Sequence, residues 1–262
     1  MTFATVLASA RPLDGGFALT VTDDWLQGRT AFGGLTAALA YEVAKRAGGE
    51  GLPPLRSAHI AFVGPLSGEV EFRPRVLRRG RNATWIAVEL SQNDAVGMTA
   101  TFVFMGPVED SVLHHDAVRP PAGYLAPEQA APVPDVPETP VFFASHIEAR
   151  HAVPQTGTKR PEVDFWVRIV GHDEMDPMAA ILLVADSPPP AVIAMMGKRV
   201  PLSSMLWQVN VLTPVPATRD GWWLCQSAGD YAERGCSSER LTVWNANGEP
   251  MITGVQSVAI FG

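Results

Sequence analysis

The chain has 262 residues, 47% of them apolar and 18% charged, with a net charge of −7. That composition belongs to a folded globular protein and excludes a disordered one, while the acidic balance and the lack of any Lys/Arg block argue against a nucleic-acid partner. Residues 1–10 lack the basic start and long apolar core of a secretory signal, and the longest apolar run, 178–185, is too short to cross a bilayer, so the chain reads as cytoplasmic with no membrane association.

Taken in order, residues 3–8 and 17–22 read as short strands on either side of the turn Asp14-Gly15-Gly16. After Trp25 comes Gly28-Arg29-Thr30-Ala31-Phe32-Gly33-Gly34, running into a helix over 35–47. Leu35, Leu39 and Val43 recur at helical spacing, and Ala37, Ala38, Ala40 and Ala44 fill most other sides, so the helix is expected to be buried. Glu42 is placed to meet Arg46 one turn on, and Gly48-Gly49 is a stop signal. Gly33-Gly34 at the helix start either allow close helix–strand packing or let another molecule approach the unpaired N–H groups and the positive end of the dipole.

From residue 57 the period changes. Segments 57–63, 68–78, 82–91 and 98–105 are rich in Val, Ile, Phe and Thr, and they are separated by Gly64-Pro65, Arg79-Gly80-Arg81 and Asn93-Asp94. This predicts a meandering antiparallel sheet. Residues 107–140 break the texture with 8 of the chain's 23 prolines and no apolar period, which marks a semi-rigid connector. His114-His115 inside it reads as a solvent-facing pair, and neither a metal nor a cofactor is expected.

Beyond the connector the plan recurs. Residues 142–151 and 163–170 read as strands, Asp173-Glu174 suit a helix start, and 177–185 continue as a second apolar helix ending before Pro188-Pro189-Pro190. Strands follow over 204–213, 221–228, 236–245 and 251–261. Phe62-Val63-Gly64-Pro65-Leu66 answers Val211-Leu212-Thr213-Pro214-Val215, and Arg79-Gly80-Arg81 answers Glu233-Arg234-Gly235. The expected fold is therefore α+β, with two tandem units over 1–106 and 141–262 joined by 107–140 into one internal pseudo-dimer. Cys225 and Cys236 read as buried thiols in a reducing compartment, with a disulfide between neighbouring strands left open.

This architecture, with Ala31-Phe32-Gly33-Gly34 at the first helix, Ser57-Ala58-His59 ahead of Val63-Gly64-Pro65, and a final strand through Gly254-Val255-Gln256, resembles the type II (TesB-like) acyl-CoA thioesterases of double hot-dog fold. The resemblance implies two tandem hot-dog domains, each a sheet wrapped round a buried helix, an acyl-CoA substrate, and assembly as a homo-oligomer. It also implies a water-holding set from the second half that falls on Asp186, Ser204 and Gln256, with Ser203 an alternative register for the hydroxyl.

Thioester hydrolysis needs a positioned water, an acceptor for its proton, and donors for the carbonyl oxygen as it gains charge. Asp186 suits the base, Ser204 and Gln256 the water's hydrogen bonds, and the backbone at Gly33 and Gly34 the oxyanion. His59 is an alternative base or substrate contact. CoA phosphates could be met by Arg78, Arg79 and Arg81, or by Lys198-Arg199. No Gly-x-Ser-x-Gly or His-Glu-x-x-His pattern is present, which disfavours a serine acyl-enzyme or a zinc hydrolase. A hydratase-like reaction on the same scaffold and a non-catalytic acyl-CoA-binding protein are the competing readings.

Overall fold

The computed structural model describes residues 1–108, 114–154, 159–198 and 200–261. The first unit opens on α1 (Phe3–Ala8), β1 (Arg11–Leu13) and β2 (Gly16–Val21), then a 3-10 turn over Asp23–Trp25 and a small hairpin of β3 (Leu26–Gln27) and β4 (Thr30–Ala31). The central helix α2 (Gly33–Gly48) follows, and then β5 (Leu55–Phe62), β6 (Gly68–Arg79), β7 (Ala83–Gln92) and β8 (Ala95–Met105). The second unit repeats the order with α3 (Val141–His146), β9 (Ile147–His151), β10 (Glu162–Ile169) and α4 (Pro177–Ala185). A 3-10 turn over Ala191–Met195 leads to β11 (Leu202–Val211), β12 (Trp223–Glu233), β13 (Cys236–Asn245) and β14 (Pro250–Ile260).

All strands except β3 and β4 join one sheet in the order β1-β2-β6-β7-β8-β5-β11-β14-β13-β12-β10-β9. The two halves are mirror images of one another in this order and meet at an antiparallel seam, with Trp207 opposite Ile60 and Gln208 opposite His59. The sheet curls round α2 and α4, which pack on each other at the centre. Leu35, Leu39 and Val43 of α2 are fully buried, as are Ile181, Leu182 and Leu183 of α4. Each such side chain contributes about 1.5–3 kcal/mol. The Asn93-Asp94 turn has φ of 49° and 63°, the left-handed pair that a two-residue hairpin requires.

Several expectations are corrected. Residues 3–8 and 142–146 are helical, not extended. Thr2 caps α1 by accepting from the Thr5 N–H at 3.3 Å, while Phe3 and Val6, one turn apart, share its buried face. In α3 the buried pair is Phe142 and His146: Phe142 stacks on Phe32 at 3.9 Å and His146 on Trp25 at 3.7 Å. The first helix of the second half thus docks on the residue just before α2, and tertiary stacking overrides the strand-like composition. Glu42 pairs with Lys45 at 3.3 Å, not with Arg46. Asp173 and Glu174 lie in a separate 3-10 turn; α4 starts at Pro177 behind an Asp176 cap that accepts from Met178 N–H at 2.8 Å. Cys225 is buried but Cys236 is exposed, and both are free thiols.

Residues 131–133 run along the edge strand β9, and residues 118–130 lie across the outer face of the second half. There Val118, Tyr124 and Leu125 pack on a satellite cluster of Trp166, Trp222 and Trp244, and Trp166 Nε1 donates to the Leu125 carbonyl at 2.7 Å. His114 and His115 are exposed. No helix among the described residues is long and apolar enough to cross a membrane.

Candidate active site

Three residues far apart in the chain converge at the end of α4. Asp186 is the residue on which that helix ends, Ser204 lies near the start of β11, and Gln256 lies on the inner face of β14. The Gln256 side-chain nitrogen donates to Asp186 Oδ1 at 3.0 Å and to Ser204 Oγ at 2.7 Å. The amide therefore joins the carboxyl to the hydroxyl and leaves the hydroxyl proton free to point elsewhere.

A bulge puts Ser204 there. Ser204 pairs with Val258 while Leu206 pairs with Ser257, so Met205 has no residue opposite. Simple alternation from the buried Trp207 would turn Ser204 to the outer face; the extra residue returns it to the inner one, beside Gln256. Ser203 is exposed, and among the described residues its hydroxyl bonds toward the Ser204 carbonyl, at 3.5 Å.

The start of α2 faces this cluster from the first half. Its cap residue is Phe32, which offers no side-chain acceptor, and the Gly34 N–H is met by the Asp186 carboxyl instead. A Cβ on Gly33 would stand 2.6 Å from Asp186 Oδ2 and 3.0 Å from the Phe62 ring; one on Gly34 would stand 2.6 Å from the Leu183 carbonyl. Both glycines are thus required by close approach. Asp186 as a whole keeps some exposure, but its carboxyl is enclosed. Burial pushes its pKa up from 3.8 to about 7, against the lowering effect of the Gln256 and Gly34 hydrogen bonds.

The mirrored position in the first half lacks this set. Counted from the first helical residue, Glu42 in α2 stands where Asp186 stands after α4. The pairing of β5 with β8 puts Leu55 in the place of Ser204 and Phe102 in the place of Gln256. Burial raises the pKa of the Glu42 carboxyl, and Lys45 contacts it at 3.3 Å while reaching Asp176 at 2.7 Å. The start of α4 is capped by its own Asp176, where the start of α2 is met by Asp186 from the other half. One of the two mirrored sites joins a carboxyl, a hydroxyl and an amide; the other sets the ion pairs of Glu42, Lys45 and Asp176 beside the apolar Leu55 and Phe102. A cleft of about 380 Å³, bounded by Tyr41, Lys45, Arg46, Pro53 and Phe104, lies beside the Lys45 side of the second of these.

The remaining sequence candidates are not brought to the cluster. His59 is exposed on the outer face of the sheet, opposite Gln208 and Thr101, because alternation gives the inner face to Ala58 and Ile60. Arg79 donates to the Gly48 carbonyl at 2.6 Å, at the far end of α2 and about 22 Å along the axis from Gly33. Arg78 lies over the Trp85 ring at 5.8 Å, and Arg81 is exposed. Lys198 is exposed; Arg199 lies outside the described residues. Sequence reasoning did not single out Phe32 and Phe62 individually. The first is stacked under Phe142, the second laid over Gly33, and together they fix the start of α2 against the cluster.

Two family models match the chain, one described as the acyl-CoA thioesterase N-terminal domain over residues 21–105 and one as the acyl-CoA thioesterase C-terminal domain over 127–260. No curated protein sequence matches. Among solved structures, a protein of unknown function with a hot-dog fold from Alicyclobacillus acidocaldarius is 20% identical with a TM-score of 0.86, covering 100% of this chain and 99% of its own. A tesB protein from Mycobacterium avium subsp. paratuberculosis is 19% identical with a TM-score of 0.79 and covers 100% of each chain. An acyl-CoA thioesterase II, TesB2, from Mycobacterium marinum is 15% identical with a TM-score of 0.73, covering 98% of this chain and 96% of its own. At these identities the likeness establishes the double hot-dog fold.

Proposed function

This chain belongs to the acyl-CoA thioesterase family and is a thioester hydrolase, and we propose that it hydrolyses an acyl-CoA through a water held by Asp186, Ser204 and Gln256. The observation that carries the reading is the Gln256 amide within 3.0 Å of Asp186 and 2.7 Å of Ser204, at the glycine start of α2. Asp186 takes a proton from the water as its oxygen attacks the thioester carbonyl carbon. The carbonyl oxygen becomes an oxyanion, met by the Gly33 N–H at the positive end of α2. Collapse re-forms the carbonyl, breaks the C–S bond, and returns the proton from Asp186 to the departing thiolate. A carboxyl titrating near 7 is half ionised at neutral pH, which suits a base that must also give the proton back. The division into 1–106, 107–140 and 141–262 is part of this reading, supported by the mirrored strand order.

The test is thiol release from saturated acyl-CoAs of increasing chain length, with Asp186→Ala and Gln256→Ala beside the parent. Loss of about 100-fold or more in kcat is expected in the Asp186 variant. A parental rate there would sink the mechanism, and turnover of an enoyl-CoA without thiol release would favour the hydratase reading.

A further inference from the structure

We infer that Glu239 is a positioning residue for the hydrolytic site, gripping the chain that leaves Asp186 from a place beside Gln256; this rests on the roles proposed above for those two residues. Glu239 lies on β13 in register with Gln256 on β14, on the inner face it shares with Leu241 and Val243, and it is 0% exposed. Three donors converge on it. Its Oε2 accepts from the Ala191 N–H and from Ser227 Oγ, each at 2.8 Å, and its Oε1 accepts from Ser237 Oγ at 2.9 Å. A carboxyl taken from water is tolerated only where such donors replace the water.

Two of the three donors lie within the sheet itself, on β12 and β13. The third does not. Ala191 opens the 3-10 turn on the segment between Asp186 and Ser204, so one side chain links the sheet to the loop that joins both reacting groups. The span is short and stiff. Ser187 donates to the Val184 carbonyl at 2.7 Å and ties the near end to α4. Pro188, Pro189 and Pro190, each with φ set by its ring, carry the chain to the far end that Glu239 holds. Asp186 therefore sits one residue before the near anchor and five before the far one. Loosening the far anchor lets the carboxyl drift from Gln256, and a displacement near 1 Å costs on the order of 100-fold in rate.

Glu239→Gln keeps the shape but turns one acceptor into a donor. The two serine hydroxyls can rotate to accept; the Ala191 N–H cannot. The expected result is kcat lowered about 10-fold or more with KM within about 2-fold, and an acid limb of the kcat–pH profile moved to higher pH as Asp186 loses hydrogen bonds. Ala191→Pro removes only the third donor. Pro190 already has φ −51° and ψ 135°, as a residue before proline needs, and proline is favoured at the first helical position, so the backbone accepts this variant, and circular dichroism of both variants checks that they fold. It should show the same loss of kcat and the same pH displacement. Folded variants with parental kcat and an unmoved pH profile would make Glu239 a core residue and no more. Asp186→Ala in the same assay separates the two ideas: a parental rate there overturns the catalytic reading itself. An inactive Asp186→Ala beside unaffected Glu239→Gln and Ala191→Pro overturns only the positioning role.

Discussion

Asp186→Asn should trade activity for stability, in an amount that depends on pH. In the folded chain the carboxyl titrates near 7, against 3.8 when freely hydrated. Below 3.8 both states are protonated and the group contributes nothing. Between 3.8 and 7 the unfolded chain releases the proton first, so stability falls as pH rises, and above 7 the loss is complete. The gap corresponds to an upper bound of ~4 kcal/mol, and relaxation of water and side chains at a partly exposed residue reduces it to about 2–3 kcal/mol. Asparagine cannot ionise, so its stability relative to the parent should grow by about that much between pH 4 and pH 8. For a chain of this size that is roughly 4–12 °C in melting temperature. Thermal melts of both proteins by circular dichroism at pH 4, 6, 7 and 8, with thiol release measured on the same samples, give the answer. Parallel melting curves at every pH would refute the assignment of a strained, buried acid at Asp186, whatever the activity of the variant.

Three further outcomes follow from the geometry. The kcat of the parent should rise with pH through about 7 and then level, since Asp186 must be ionised to accept the water's proton; a flat profile from pH 5 to 8 would remove it as the base. Gly33→Ala improves helix propensity yet puts a methyl 2.6 Å from Asp186 Oδ2, so a folded protein with kcat reduced by about 10-fold or more is expected. An unimpaired Gly33→Ala enzyme would mean that the start of α2 opens during turnover. Glu42→Gln and His59→Ala should each leave kcat within about 2-fold of the parent, because one lies in the mirrored site, where Leu55 and Phe102 replace the hydroxyl and the amide, and the other on the outer face of the sheet. A large loss in either, measured in the same thiol-release assay, would reassign the chemistry.

Much of this was legible in the residues, for identifiable reasons. The long strands and α2 announce themselves because their period is sustained over ten residues or more. The turns between them carry glycine, asparagine and proline. The short helices α1 and α3 did not, because six residues hold under two turns and their identity is decided by Thr2, Phe32 and Trp25, which lie outside them. Both were misread in the same way, at mirrored places, which is itself a sign of the repeat. The triad came from family resemblance, not from spacing. The bulge at Met205 that turns Ser204 inward has no local signature, so the choice between Ser203 and Ser204 had to wait for the pairing of β11 with β14. Two signals were present and missed. His59 alternates with the inward Ala58 and Ile60, and Glu239 falls in step with the inward Leu241 and Val243. Parity along a strand, counted out, places one outside the cluster and the other beside it.

The helix start that meets Asp186 belongs to the opposite half of the molecule from the acid itself. On the proposed mechanism the two repeats are interdependent: one lends the helix dipole, the other the acid that takes the water's proton. A lesion at Gly33 and a lesion at Asp186 should consequently behave as damage to a single genetic unit.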